Sequence, residues 1–142
     1  MDRPDAVPSP PIERIREAAE RIGRESSYRL IVLFGSVARG EPRPEDLDIG
    51  VLGREPLNAV ALTNRLVREL GVQAVDVCDL QRADPLLTAL VARDGIPLHE
   101  ESPGEFARFA SLAVRRYADT RKFREMERRE IRDILTELGH GS

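Results

Sequence analysis

The hydrophobic residues of this chain follow two spacings, one that predicts helices and one that predicts buried strands. Apolar residues every three or four positions predict amphipathic helices over residues 11–24 and about 57–70. Continuous or alternating apolar runs predict strands over residues 28–34, 46–52 and 72–78. Helices and strands that alternate in this way predict an α/β fold.

The second half of the chain is predicted to be mainly helical. A short helix is expected from Asp84, a residue suited to an N-cap, to Gly95. Residues 96–99 are expected to form an edge strand, because the proline within them removes a donor from the sheet ladder. A heavily charged helix follows over residues 105 to about 138, with a bend expected near residues 119–120.

Length and composition predict one domain. The chain has 142 residues, the size of a common compact domain. Hydrophobic residues make up 41% and aromatic residues only 4%, so the core is expected to consist of Leu, Val, Ile and Ala. The single domain would span residues 1–142, with a mobile proline-rich lead-in at 1–11 and a helical tail at 105–142.

The hydrophobic runs, the cysteine content and the net charge exclude several classes of protein. No run approaches the roughly 18 apolar residues of a membrane span, and the first residues contain no signal-peptide core. The lone Cys78 cannot form an internal disulfide. A cytoplasmic protein is therefore expected. The net charge of -3 provides no overall attraction for nucleic acid, so direct nucleic-acid binding is not expected.

Two acids near the start of the second strand form the strongest chemical pattern. Side chains at positions i and i+2 of a strand point to the same face, so Asp46 and Asp48 are predicted to lie side by side. Two like charges facing one cleft are costly without a cation between them, and Mg²⁺ prefers carboxylate oxygens. The pair therefore predicts a divalent metal site.

A glycine–serine turn after the first strand predicts a phosphate-binding cradle. Gly35 lets the backbone approach a phosphate closely, and the Ser36 hydroxyl and nearby amides can donate to phosphate oxygens. Arg39 has two interpretations that the sequence leaves open. It contacts phosphate or acceptor, or it pairs with Glu41 or Glu45 on the surface.

This combination resembles the minimal nucleotidyltransferases of the polymerase-beta-like superfamily, whose pattern is Gly-Ser, a short loop and Asp-x-Asp. The superfamily carries a third metal carboxylate on a later strand, where this chain has Asp76. Asp79 is the rival for that role, but on a regular strand it would point to the opposite face. The loop over residues 37–45 is slightly shorter than is common in the family and contains two prolines, which is expected to affect nucleotide closure or acceptor access.

The resemblance implies a fold, a reaction and a set of site residues. The fold is a small mixed sheet with helices on one face and the metal site on the opposite, open face. The reaction is magnesium-dependent transfer of a nucleotide, with two Mg²⁺ ions and ATP as the substrate. The catalytic, metal-binding carboxylates would be Asp46, Asp48 and Asp76, and the nucleotide-binding residues would be Gly35, Ser36 and Arg39.

A stand-alone enzyme of this kind with a short helical tail resembles the antitoxins of HEPN/MNT toxin–antitoxin pairs. That resemblance implies a protein adenylyltransferase that moves AMP from ATP to a hydroxyl, typically of tyrosine, on a HEPN-type RNase toxin in a hetero-oligomer. Two alternatives stay open: an antitoxin that neutralises its partner by binding alone, and an enzyme for a small-molecule acceptor. The charged tail carries more apolar residues than the domain needs, which predicts a partner surface.

Overall fold

The computed structural model describes residues 10–40 and 47–140, and within them the chain forms four strands and five helices. In chain order these are α1 (Ile12–Ser26), β1 (Leu30–Phe34), α2 (Gly35–Ala38), β2 (Leu47–Leu52), α3 (Ala59–Leu70), β3 (Val75–Asp79), α4 (Pro85–Asp94), β4 (Ile96–Glu100) and α5 (Glu105–His140). The predicted α/β fold is confirmed. The predicted mobile lead-in falls almost entirely on residues 1–9, which lie outside the described residues.

The strands form one mixed sheet in the order β3-β2-β1-β4. β1 is antiparallel to both of its neighbours, whereas β2 and β3 run parallel, as the helical crossover through α3 requires. β4 lies at the edge, where Pro97 pairs with Val32. The predicted edge position of this strand is confirmed, because a proline at an edge removes no hydrogen bond from the interior of the sheet.

Local capping explains where two of the helices begin and end. The Asn58 side chain accepts a hydrogen bond from the Ala61 amide at the start of α3, and Gly71 ends that helix with φ +65°. The Asp84 carboxylate accepts from the Leu87 amide at 2.8 Å, so Asp84 is the N-cap of α4 as predicted. These ends follow from residue type at single positions and need no tertiary contact.

Two elements differ most from the sequence expectation. β3 begins at Val75 and not at residue 72, because its ladder starts opposite Leu47, the first described residue of β2. α5 runs as one helix of 36 residues, about 54 Å long, through the region where a bend was expected. There the Thr120 hydroxyl donates to the Tyr117 carbonyl oxygen at 2.8 Å within the continuous helix.

One face of the sheet is closed by α1 and α3. Ile31 and Leu33 from β1, together with Ile49 from β2, are at most 3% exposed on this face. The helix residues that cover them are Ile15, Ala18, Ala19, Ile22, Leu62, Leu66 and Leu70. This is the larger of the two apolar clusters and contains no aromatic residue among its fully buried members, as the composition predicted.

The other face is covered at one end only. Leu30, Val32, Leu80 and Val91 form a second buried cluster there, and the partly buried Phe106 and Phe109 of α5 pack against it. The expected open face is therefore partly closed by α4 and the first turns of α5, which periodicity alone could not place. Within the described residues, no helix combines the length and the apolar character needed to cross a membrane.

Candidate active site

Two of the predicted metal-binding acids lie next to each other on the second face. Asp48 of β2 and Asp76 of β3 are direct partners in the parallel register. Register partners on neighbouring strands point to the same face, with the strands about 4.8 Å apart. Asp48 is half-buried and Asp76 is exposed. The pair therefore presents two carboxylates to one open end of the sheet.

The rival acid, Asp79, has a structural role in the turn after β3. It follows Asp76 by three residues on the same strand, so its side chain belongs to the opposite face. Its Oδ1 accepts a hydrogen bond from the Gln81 amide at 3.1 Å, which closes the turn after β3. The geometry thus brings Asp76, and not Asp79, beside Asp48, while the catalytic role of Asp76 stays a prediction.

The first predicted acid, Asp46, lies outside the described residues, together with Glu41 and Glu45 of the preceding loop. The expected effect of that loop on nucleotide closure is therefore a prediction that the fold leaves open. Among the residues that the structure does describe, no group of three or more His, Cys, Asp or Glu side chains is placed to hold a metal ion. The described part of the site consists of the Asp48–Asp76 pair.

The glycine–serine turn is in direct contact with Asp48, one member of this pair. Gly35 has φ +76°, a conformation that side chains rarely adopt. A Cβ built on Gly35 would lie 2.1 Å from Asp48 Oδ2, well inside the closest approach of two such atoms. Glycine is required here for two reasons, because the backbone turns sharply and because the Asp48 carboxylate occupies the space of a side chain.

The turn itself is a single helical turn, α2, and not a loop. Ser36 lies in it and is half-buried. The amide of Arg39 donates to the Gly35 carbonyl oxygen at 3.1 Å and closes the turn. The Arg39 side chain is exposed. Its predicted role at the nucleotide stays open, because both of its proposed surface partners lie outside the described residues.

Sequence reasoning missed Asp94, which ends α4 close to α2. Arg93 donates to both Asp94 carboxylate oxygens, at 2.9 and 2.8 Å. This hydrogen bonding lowers the pKa of Asp94, and the charge of Arg39 lowers it further. Asp94 and Arg39 therefore lie within electrostatic reach. No pattern in the sequence marks this proximity, because it depends on how α4 packs beside the turn.

Cys78 lies on the same face as Asp76, two residues along β3. Burial raises the pKa of its thiol, and the negative charges of Asp76, Asp79 and Asp84 raise it further. A raised pKa keeps the thiol protonated at neutral pH, and the protonated form is a poor nucleophile. Cys78 is also partly buried against the second apolar cluster, which agrees with a packing role.

The sequence model of one known family, described as polymerase beta nucleotidyltransferase, matches residues 17–104. The chain belongs to this family. The match includes all four strands, the turn at Gly35 and the Asp48–Asp76 pair. It ends at Gly104, directly before α5.

Full-length relatives extend the likeness into α5. The protein adenylyltransferase MntA of Aphanizomenon flos-aquae is 28% identical, over 92% of this chain and 96% of the relative. A chain in a crystal structure of a toxin–antitoxin with AMP-PNP has a TM-score of 0.66 and 27% identity, over 85% of this chain and 98% of that one.

A third likeness concerns the fold. A chain in the complex of the tri-AMPylated Shewanella oneidensis HEPN toxin with its MNT antitoxin has a TM-score of 0.65. The identity is 24%, over 89% of this chain and 99% of the other. At that identity, the match shows a shared architecture of mixed sheet and helices, in agreement with the predicted fold.

Proposed function

We propose that this chain transfers AMP from ATP to a hydroxyl, expected to be that of a tyrosine, on a HEPN-type RNase toxin, and thereby acts as its antitoxin. The register pairing of Asp48 with Asp76 beside Gly35 is the observation that carries this proposal. The relative named protein adenylyltransferase and the toxin–antitoxin structure with AMP-PNP support the reaction and the kind of partner. The cytoplasm, where ATP and RNA are present, is the expected location.

The residues at the site fit magnesium. Asp48 and Asp76 share one face and supply the hard oxygen ligands that Mg²⁺ prefers, and Asp46 is expected to complete the set for two ions. Gly35 lacks the Cβ that would displace the Asp48 carboxylate from its position. When bound, Mg²⁺ would lower the pKa of the acceptor hydroxyl and offset the negative charge of the triphosphate.

The protein's own contribution is to bind and orient the two reactants. The backbone at Gly35 admits the triphosphate close to Asp48, and the Ser36 hydroxyl donates to a phosphate oxygen. Asp76 is the more exposed of the two acids, so the acceptor approaches from its side. The acceptor oxygen bonds to the α-phosphorus, the bond to pyrophosphate breaks and pyrophosphate leaves, and the proton of the hydroxyl passes to solvent water.

The proposal is tested with the full chain, ATP labelled at the α-phosphate, Mg²⁺ and the HEPN-type toxin encoded with this chain. Label on the toxin, lost when a tyrosine of the toxin is changed to Phe, is the expected result. A stable complex without label would replace this proposal with the binding-only antitoxin. Label on neither protein, with ATP consumed only when small hydroxyl compounds are added, would favour a small-molecule acceptor.

A further inference from the structure

A cavity of about 430 Å³ lies on the second face of the sheet, under the first turns of α5. Its walls come from α4, from α5 and from the strand ends around Arg29, Leu52 and Leu80, and we call it the α5 cavity. Pockets that hold small ligands in proteins have volumes of about 300 to 1,000 Å³. The α5 cavity is therefore large enough for a small molecule.

The α5 cavity is separate from the candidate active site. Asp48 lies near the start of β2, and Leu52 lies at its end, four residues or about 13 Å further along the strand. Between them Leu80 packs over Gly50, since a Cβ built on Gly50 would lie 2.9 Å from Leu80 Cδ2. Leu80 is 3% exposed and so fills the space above this part of the sheet. The cavity is thus a second site on the same face.

The floor of the cavity is apolar. Leu80 and Ala113 are each 3% exposed, and Leu52 and Phe109 are partly buried. Leu112, at 42% exposure, lies where the cavity meets solvent. A floor of this kind favours a ring or a short hydrocarbon chain that leaves water.

The charged residues of the lining are mainly basic. Three arginines face one carboxylate, which gives the lining a net charge of +2 in a chain whose own net charge is -3. The one acid, Glu105, is already paired. It accepts from the Ser102 hydroxyl at 3.2 Å, and the guanidinium groups of Arg29 and Arg108 lie 3.3 and 3.4 Å from its oxygens. The third arginine, Arg116, has no hydrogen bond or ion pair within the described part of the chain.

The polar groups of the cavity offer donors more than acceptors. The guanidinium of Arg116 presents five N–H donors, and among the described contacts Arg29 donates from Nη2 alone, to Glu105. The Thr88 hydroxyl, in contrast, already donates within α4, to the Pro85 carbonyl oxygen at 3.1 Å. Donors that carry positive charge bind the oxygens of an anion more strongly than those of a neutral group.

We propose that the α5 cavity binds a small organic anion, in which one phosphate or carboxylate group is joined to an apolar ring or short chain. The anionic group lies at Arg116 and Arg29, and the apolar part lies on the floor. The site uses neither acid of the candidate active site, so it does not depend on the proposed function. Because its walls belong to both α5 and the sheet, a bound ligand holds the first turns of α5 in place and raises the midpoint of thermal unfolding.

Phenyl phosphate and benzoate are the probes, because each joins one anionic group to a ring. They are titrated into the isotopically labelled full chain, and nuclear magnetic resonance locates binding at individual backbone amides. We expect saturable shifts at Gln81, Thr88 and Ala113, with Kd in the millimolar range. Inorganic phosphate should bind at least about tenfold more weakly, because it cannot use the apolar floor. Binding of only one probe would identify the anionic group as phosphate or as carboxylate.

Matched substitutions on α5 test which charges hold the anion. Arg116→Leu should weaken binding about fivefold, the upper range for an exposed ion pair, and Arg116→Lys should restore most of it. Arg115→Leu is the control, because Arg115 is also exposed but does not line the cavity. Glu105→Gln should strengthen binding, since it removes the negative charge that pairs with Arg29 and Arg108. The spectrum of each variant shows whether it is folded.

Several outcomes would overturn the inference. One is the absence of saturable shifts at the cavity with both probes at tens of millimolar, and another is an equal loss of binding in Arg115→Leu and Arg116→Leu. Shifts confined to Gly35 and Ser36 would assign the anion to the candidate active site. Shifts at the cavity caused by the HEPN-type toxin and by neither probe would assign it to a side chain of the partner.

The two proposals fail separately. A chain that binds phenyl phosphate in the α5 cavity but transfers no AMP would defeat the proposed function and leave this site standing. A chain that transfers AMP to the toxin but binds neither probe would do the reverse.

Discussion

The two faces of the sheet show how one strand serves both the fold and the candidate site. On β2, Leu47, Ile49 and Val51 are almost fully buried under α1 and α3, while Asp48, between Leu47 and Ile49, faces the other side. The first face is closed along its length, and the second is closed only at the end under α4 and α5. The Asp48–Asp76 pair lies where the second layer of helices stops.

This difference separates the requirements for stability from those for transfer. Alternate residues of a strand contact different environments, so a change on one face leaves the contacts of the other largely intact. Residues of the first face are expected to affect the free energy of unfolding. Residues at the open end of the second face are expected to affect transfer.

The largest expected effect comes from the acid pair. Asp48→Asn and Asp76→Asn should each lower the rate of AMP transfer by about 10³-fold, because a charged ligand of the proposed metal site is lost. The midpoint of thermal unfolding should change little, since neither side chain belongs to an apolar cluster. Single-turnover kinetics with labelled ATP measures the rate.

Asp79→Asn is the matched control for these two substitutions. The amide keeps an oxygen that can accept from the Gln81 amide, so the turn after β3 should persist and transfer should stay near the wild-type rate. If Asp79→Asn abolished transfer and Asp76→Asn did not, the assignment of the third acid would be reversed.

The next effect concerns the closed face. Ile49→Ala leaves a cavity beneath α1 and α3 at a residue that is 1% exposed. It should lower the free energy of unfolding by about 2 to 5 kcal/mol. Transfer by the folded fraction should be retained at low temperature. Urea unfolding measures the first quantity, and an unchanged urea midpoint would show that this face is not the main source of stability.

A smaller effect tests the contact between the turn and the acid. Gly35→Ala and Gly71→Ala both place alanine at a positive φ, at a cost of about 1 to 2 kcal/mol each. Only at Gly35 does the new Cβ meet a carboxylate, because nothing lies within 4 Å of the position at Gly71. Transfer should fall at least about tenfold in Gly35→Ala alone. Equal loss in both variants would attribute the defect to backbone strain.

The smallest effect is a pH dependence at the covered end of the second face. Burial of Glu105 opposes its ionisation, but the Ser102 hydroxyl and the charges of Arg29 and Arg108 outweigh it and hold the pKa of Glu105 below its ordinary value of 4.5. A lowered pKa stabilises the folded state above about pH 4.5, and that contribution is lost as the pH falls through the folded-state pKa.

Glu105→Gln should therefore reduce stability at neutral pH and flatten the decline in unfolding free energy between neutral and acidic pH. Arg108 Nη2 lies 3.4 Å from Glu105 Oε1, and Arg29 Nη2 lies 3.3 Å from Glu105 Oε2. Denaturant titrations at a series of pH values compare the wild type with the variant. Parallel curves for the two proteins would show that other carboxylates cause the acid sensitivity.

Much of the fold was accessible from local patterns. The end of the first strand at Phe34, the N-cap at Asp84 and the cap at Gly71 are all confirmed, because each depends on the conformational preference of a few neighbouring residues. The family resemblance rested on the same short segment. Residue spacing also favoured Asp76 over Asp79, since the two must face opposite sides of a regular strand.

Other features depended on long-range packing. The start of β3 was misplaced because a strand is defined by its partner, here β2 from Leu47 onward. Arg39 and Asp94 are far apart in sequence, and only the position of α4 brings them within electrostatic reach. The cover that α4 and α5 provide on the second face likewise arises from contacts that no local spacing encodes.

By itself, therefore, the sequence determined which residues are candidates for the chemistry and which side of each strand they occupy, because the strand period of two acts locally. The tertiary structure decided that Asp48 meets Asp76 in register, that Gly35 must lack a side chain against it, and how much of the second face α4 and α5 cover. Those features are set by contacts between distant segments, whose free energy depends on how the whole chain packs.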